Sequence, residues 1–224
     1  MLTTVGFLVF PGVQLLDLAG PYEIFAALPD CAIQLFWKTH EPIVCSTGLT
    51  FQPTRTLRED SPLSVLCIPG GTGINPLLLD EEVLCWVRRH ASKAQFVTSV
   101  CTGALLLGAA GLLTGRRATT HWRYHDLLDK FGAIPAKERV VQDGGLITGG
   151  GVTAGIDFGL AVVAALRGPA VAEEIQLTLE YCPKPPFTAG QPEEAPEAVL
   201  AAVRNQTRVL YEERAQIVQH RLNL

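Results

Sequence analysis

The chain of 224 residues sets 18 Lys+Arg against 22 Asp+Glu, a formal net charge of −4, and is 48% hydrophobic and 18% charged. That is one domain's worth of chain with enough apolar residues for a sizeable core, which excludes a disordered or solvating polymer. It has no Lys/Arg run to neutralise a row of phosphates, which argues against nucleic acid as a partner, and no apolar run near the ~18–20 residues that cross a bilayer.

Taken in order, short β-rich runs alternate with helical stretches, the pattern of an α/β sheet covered on both faces. Val5 to Phe10 reads as a first strand, ended by Pro11-Gly12, and Pro21 to Leu28 as a short helix opened by its proline. Ile33 to Thr39 follows as a strand and Thr47 to Leu57 as a hairpin excursion. Ser64 to Pro69 is a buried strand running into Gly70-Gly71-Thr72-Gly73. Asp80 to Ser92 begins acidic and ends basic, which complements a helix dipole. Gln95 to Val100 is a strand and Thr102 to Leu113 a buried helix closed by Gly111 to Gly115. Ala118 to Thr120 is a short strand and His121 to Phe131 a helix stopped at Gly132. Arg139 to Asp143 and Leu146 to Thr148 form a hairpin around Gly144-Gly145. Thr153 to Leu166 and Ala170 to Tyr181 are helices. Residues 183–196 form a proline-rich connector, and Glu197 to Leu222 reads as one last helix that packs on the surface or reaches a second subunit. Residues 1–224 are expected to form a single domain.

The segment from Met1 to Phe10 lacks the basic start of a signal peptide, so a cytoplasmic protein is expected. Its six cysteines show no Cys-x-x-Cys pairing, so they are expected to be reduced and mostly buried. Cys101 stands apart because it lies between a buried strand and a buried helix, with Gly103 behind it, as in a nucleophile elbow. A free thiol of pKa ~8.5 is only about 3% thiolate at pH 7. Lowering it to ~6 takes roughly 3.4 kcal/mol, of which a helix N-terminus supplies ~0.3–2, so other donors are required.

Gly70-Gly71 is expected at the same end of the sheet, where Thr102 and the Gly71 amide are catalytic candidates for holding Asp17, the thiolate or an anionic intermediate in register. Asp17 lies among leucines: either burial raises its pKa and keeps it protonated until it donates, or it caps the helix at Pro21. His121 and His125 have the spacing of a two-histidine metal site but lack a third ligand; His121 either orients groups near Cys101 or is structural. Gly149-Gly150-Gly151 lacks the spacing of a dinucleotide or phosphate loop. No metal and no organic cofactor is expected. Gly70, His121 and Val152 are candidates for supporting the site from behind.

Five segments carry a resemblance: Phe7 to Pro21, Cys67-Ile-Pro-Gly-Gly-Thr-Gly73, Val97-Thr-Ser-Val-Cys-Thr-Gly103, Ala118-Thr-Thr-His-Trp122 and Thr148 to Asp157. Together they resemble the ThiJ/PfpI superfamily over nearly the whole chain, and within it the isonitrile-hydrating members. The resemblance implies a flavodoxin-like three-layer sandwich with a mostly parallel central sheet. It further implies a homodimer, a catalytic cysteine at Cys101 and an acidic partner at Asp17, where many members carry Glu. Members of the peptidase and glyoxalase kinds usually have His after the nucleophile, so Thr102 argues against those activities. The implied reaction turns a small-molecule isonitrile into an N-substituted formamide through a thioimidate on Cys101, with Asp17 as general acid and base. Forming that adduct removes thiolate charge and is expected to loosen the following helix. Two rival readings are a ligand-sensing domain related to AraC-type regulators and a redox protein that oxidises Cys101.

Overall fold

A computed structural model describes residues 2–224; Met1, the start of the segment read for a leader, lies outside them. The first half runs β1 (Thr3–Leu8), α1 (Leu15–Ala26), β2 (Cys31–Trp37), β3 (Ile43–Val44), β4 (Thr50–Phe51), β5 (Arg55–Thr56), β6 (Val65–Ile68), α2 (Ile74–Leu77), α3 (Glu81–Ala91) and β7 (Phe96–Val100). The second half begins with α4 (Gly103–Ala109), β8 (Arg117–Ala118), a 3₁₀ turn over Trp122–Tyr124, α5 (His125–Lys130) and β9 (Ile134–Pro135). It continues with β10 (Val140–Asp143), β11 (Leu146–Gly149), α6 (Ala154–Arg167), α7 (Pro169–Thr178), α8 (Glu197–Gln206) and α9 (Arg208–Leu222).

The central sheet has the order β10-β11-β7-β6-β1-β2-β5 and is parallel except where β10 pairs antiparallel with β11. The strands β2-β1-β6-β7-β11 follow the flavodoxin-like order. Alternation along the strands divides the core into two layers. Val5, Phe7, Val65 and Cys67 face α1, α6 and α7, whereas Leu8, Leu66 and Ile68 face α3, α4, α5 and Val218 of α9. No helix among the described residues is long and apolar enough to cross a membrane.

Several expected boundaries move, each for a physical reason. Helix α1 begins at Leu15 and carries Pro21 inside it. The proline ring lies against α6, where a Cβ at Gly155 would lie 3.0 Å from Pro21 Cδ and one at Gly159 would lie 2.9 Å from Ile24 Cβ. The excursion at Thr47 to Leu57 divides: β4 pairs back onto β3, while β5 joins the main sheet beside β2. The helix after Cys101 is shorter than expected, ending at Ala109 before Gly111, whose φ of 79° closes it. The helix expected from His121 breaks at Tyr124, whose ring turns into the core. The last helix breaks at Thr207, where the hydroxyl donates back to the Val203 carbonyl at 2.8 Å. Residues 183–196 carry neither helix nor strand.

Candidate active site

Three segments converge beyond the carboxyl ends of β1, β6 and β7, around the point where the strand order reverses and where such folds open a crevice. From β7 the chain turns at Cys101 with φ 55°, a left-handed conformation rare in a side-chain-bearing residue. The turn is over-determined: the Cys101 amide donates to the carbonyls of Gly149 (3.1 Å) and Gly150 (2.8 Å), and the Thr120 hydroxyl donates to the Cys101 carbonyl at 2.7 Å. Behind it, a Cβ at Gly103 would lie 2.0 Å from the Ile68 carbonyl oxygen, so glycine is what lets α4 start against β6. The backbone thus fixes the thiol, which is 5% exposed.

Asp17 comes from the first turns of α1 and is fully buried. It does not cap a helix at Pro21, because it already lies inside α1, whose N-cap is Gln14. Its Oδ2 accepts from the Gly70 amide at 3.0 Å, and its Oδ1 is buried without a hydrogen bond. Burial pushes its pKa up to about 7, against the opposing influence of the Cys101 side chain and the Gly70 amide.

The further donors that a lowered thiol pKa requires are outweighed here. Burial, and secondly the charge of Asp17, push the Cys101 thiol well up; the Thr102 amide and the charge of Arg214 oppose this. One amide at the start of a helix as short as α4 is too little to overcome desolvation. Asp17 and Cys101 therefore form a coupled pair in which either group holds its proton more tightly while the other is ionised.

Gly71 corrects a second expectation. Its amide is already engaged, donating to Thr102 Oγ1 at 3.0 Å, and the Thr102 hydroxyl leans back on the Gly71 carbonyl at 3.4 Å. Thr102 thus braces the glycine turn, and Gly70 rather than Gly71 supplies the amide that meets the acid. A Cβ at Gly70 would lie 2.5 Å from Thr102 Oγ1 and 2.8 Å from Asp17 Oδ2, so this position binds the two side chains together.

The structure keeps His121 and Val152 at one remove. His121 Nδ1 accepts from the Arg123 amide at 3.2 Å, ending the chain's approach to the 3₁₀ turn, and burial lowers its pKa to about 4. His125 Nε2 lies 2.9 Å from the Thr120 carbonyl, so each histidine serves its own loop. His121, Trp122, Gly150 and Val152 line a cavity of about 370 Å³. Neither Cys101 nor Asp17 lines it; it flanks the thiol from the side of its backbone anchors.

Three participants escaped sequence reasoning. The Gly149 and Gly150 carbonyls grip the Cys101 amide, which gives the glycine run a purpose other than phosphate binding. Tyr124 packs inward. Arg214 of α9 is 1% exposed, donates to the Gly71 carbonyl at 3.0 Å and sits 4.3 Å above the Tyr124 ring. An arginine between Glu213 and Ala215 in a polar helix carries no local sign of burial.

The DJ-1/PfpI family model matches residues 3–165. The chain is 55% identical over 204 residues to the isonitrile hydratase of Pseudomonas putida, covering 91% of this chain and 90% of that protein. It superposes with a TM-score of 0.94 on the crystal structure of a ThiJ/PfpI family protein from Pseudomonas syringae, at 41% identity over 97% of this chain and 91% of that one. Drosophila melanogaster DJ-1beta shares the fold, with a TM-score of 0.73 at 20% identity over 80% of this chain and 98% of that one.

Proposed function

The chain belongs to the DJ-1/PfpI family, and from that premise we propose that it is an isonitrile hydratase, converting R–NC and water to an N-substituted formamide with Cys101 as nucleophile and Asp17 as general acid and base. The observation that carries the reading is the Asp17–Cys101 pair: a fully buried carboxyl with one oxygen fixed by Gly70 and the other without a hydrogen bond, electrostatically coupled to a thiol on a strained turn. The likeness to the Pseudomonas putida enzyme supports the choice of substrate.

The reactive form of the pair carries one proton. As Asp17 takes the thiol proton, sulfur bonds to the terminal isonitrile carbon, and Asp17 returns the proton to that carbon, giving the thioimidate R–N=CH–S–Cys101. The carboxylate then takes a proton from water as the water oxygen adds to the carbon, and passes that proton to the nitrogen. Collapse of the tetrahedral adduct breaks the C–S bond, releases R–NH–CHO and returns a proton to the pair. Every proton is supplied by water or by the pair, so the steps balance without a metal or organic cofactor. Thr102 and Gly70 act as positioning residues, one bracing the glycine turn and the other orienting Asp17. The remainder of the reading is a single-domain cytoplasmic protein that works as a homodimer.

The test is formamide formation from aliphatic and aromatic isonitriles by the wild type, Cys101→Ala and Asp17→Asn. Turnover by the wild type alone, with a thioimidate mass adduct on Cys101, supports the mechanism. A folded wild type that hydrates no isonitrile overturns it in favour of ligand sensing or thiol oxidation.

A further inference from the structure

Arg214 lies in α9, beyond the residues that the family model matches, yet it is among the largest fully buried side chains of the molecule. A buried cation normally has a buried anion beside it, because an unpaired charge costs several kcal/mol to desolvate. Among the described residues, however, Arg214 forms no ion pair with a carboxylate. Its Nε donates to Asn75 Oδ1 at 2.7 Å, its Nη2 donates to the Gly71 carbonyl at 3.0 Å, and its Cζ stands over the face of Tyr124. These partners fix the guanidinium without neutralising it. The guanidinium stays ionised even where burial lowers its pKa. The titratable groups that feel its charge are Cys101, Tyr124 and His121, with Glu213 beside it on α9; Asp17 is coupled to Cys101. Tyr124 and His121 are neutral near pH 7, and the charge of Glu213 opposes rather than completes a site at Cys101. The missing anion is supplied by the Asp17–Cys101 pair, whose reactive form holds one proton between two acids.

The Gly71 contact adds geometry to charge. Gly71 has φ 141°, and its carbonyl receives both the Arg214 donor and the longer contact from Thr102. The preceding amide, of Gly70, is the one that holds Asp17. Gripping this carbonyl therefore holds the peptide turn on which Asp17 is oriented.

We propose that Arg214 is a positioning residue for the Asp17–Cys101 pair: the buried cation left for the pair's negative charge to balance, and the clamp on Gly71 that keeps the Gly70 amide on Asp17. The last helix thereby completes a site whose reacting groups all lie in the first half of the chain. The proposal rests on Cys101 as the reactive thiol and not on the identity of the substrate.

The experiment is the pH dependence of Cys101 alkylation by iodoacetamide, followed by mass spectrometry on the intact protein, for the wild type, Arg214→Met, Arg214→Lys and Asn75→Asp. Loss of the buried charge in Arg214→Met is expected to raise the alkylation midpoint by up to about one pH unit, read as a several-fold loss of rate at pH 7. Arg214→Lys is expected to restore most of that shift while isonitrile turnover stays depressed, because a lysine lacks the planar fork that reaches Asn75 and Gly71 together. Asn75→Asp keeps the side-chain shape and gives the guanidinium a counterion, so the midpoint should again rise; it serves as the test if Arg214→Met does not fold. Unchanged midpoints in the folded variants, whatever happens to thermal stability, overturn the proposal. Because alkylation needs no isonitrile, an inactive wild type with these shifts intact would sink the substrate assignment and leave Arg214 standing.

Discussion

The two ionisable groups buried on either side of the Cys101 turn are built in opposite ways. Asp17 has one oxygen held by a single amide and the other without a hydrogen bond, and burial lifts its pKa to about 7. Arg214 is held by an amide oxygen, a carbonyl and an aromatic face, and keeps its charge. One group is poised to change protonation during a reaction; the other can only provide a constant field. A desolvated acid with a spare oxygen is useful because it is incompletely satisfied, whereas a desolvated cation must be satisfied to remain in place.

The sharpest way to break this comparison is to remove the group that changes charge. Asp17→Asn preserves size and leaves a carbonyl for Gly70, but cannot shuttle a proton; a loss in kcat/KM of about 10³-fold or more is expected in a formamide-release assay. The same substitution should stabilise the fold. Between pH 3.8 and about 7 the unfolded chain has released the Asp17 proton while the folded chain still holds it, so the folded state binds more protons and stability falls as pH rises. The loss is about 1.4 kcal/mol per pH unit, levelling off above the folded pKa. Asp17→Asn should therefore gain up to about 4 kcal/mol over the wild type at pH 8 and little at pH 4, read from denaturant melts at both pH values.

A smaller effect is expected from Gly70→Ala. Its methyl group would lie 2.5 Å from Thr102 Oγ1 and 2.8 Å from Asp17 Oδ2, so it must push the acid off its amide; a drop in kcat of about 10²-fold with little change in KM would show that the acid has moved. For the wild type, kcat/KM should fall about tenfold per pH unit below about 7, as Asp17 gains a second proton for the pair, and stay level above it because the thiol keeps its own proton well past neutrality. A profile that is flat from pH 5 to 8 would contradict the raised acid. The mildest change is Thr102→Val, which removes the acceptor for the Gly71 amide and should cost about tenfold in kcat, with the pH midpoint unchanged because Asp17 is untouched.

What the sequence made legible follows from the range of the forces involved. A strand, a cysteine and a small-residue helix are neighbours in the chain, so the Cys101 turn can be read locally, as can the alternation that sorts Val65 and Cys67 from Leu66 and Ile68. The apolar flanks of Asp17 pointed to its burial. Its helical setting was hidden because Pro21, a breaker by local rules, lies inside α1, which packs closely on α6 through Gly155 and Gly159. The direction of the thiol pKa lies beyond local sequence because desolvation depends on everything packed around the sulfur rather than on the helix that follows it. Arg214 and Tyr124 were out of reach: they meet across 90 residues of chain, and nothing near either announces the other.

The left-handed backbone at Cys101 has a practical corollary for anyone engineering this protein. A non-glycine residue in such a conformation costs on the order of 1 kcal/mol or more, which Cys101→Gly would recover against the packing lost with the buried sulfur. Together with the buried carboxylate, this makes the site a place where inactivation and thermal hardening coincide. Directed evolution scored only on heat tolerance would erode it, so libraries built on this scaffold require turnover as a simultaneous selection.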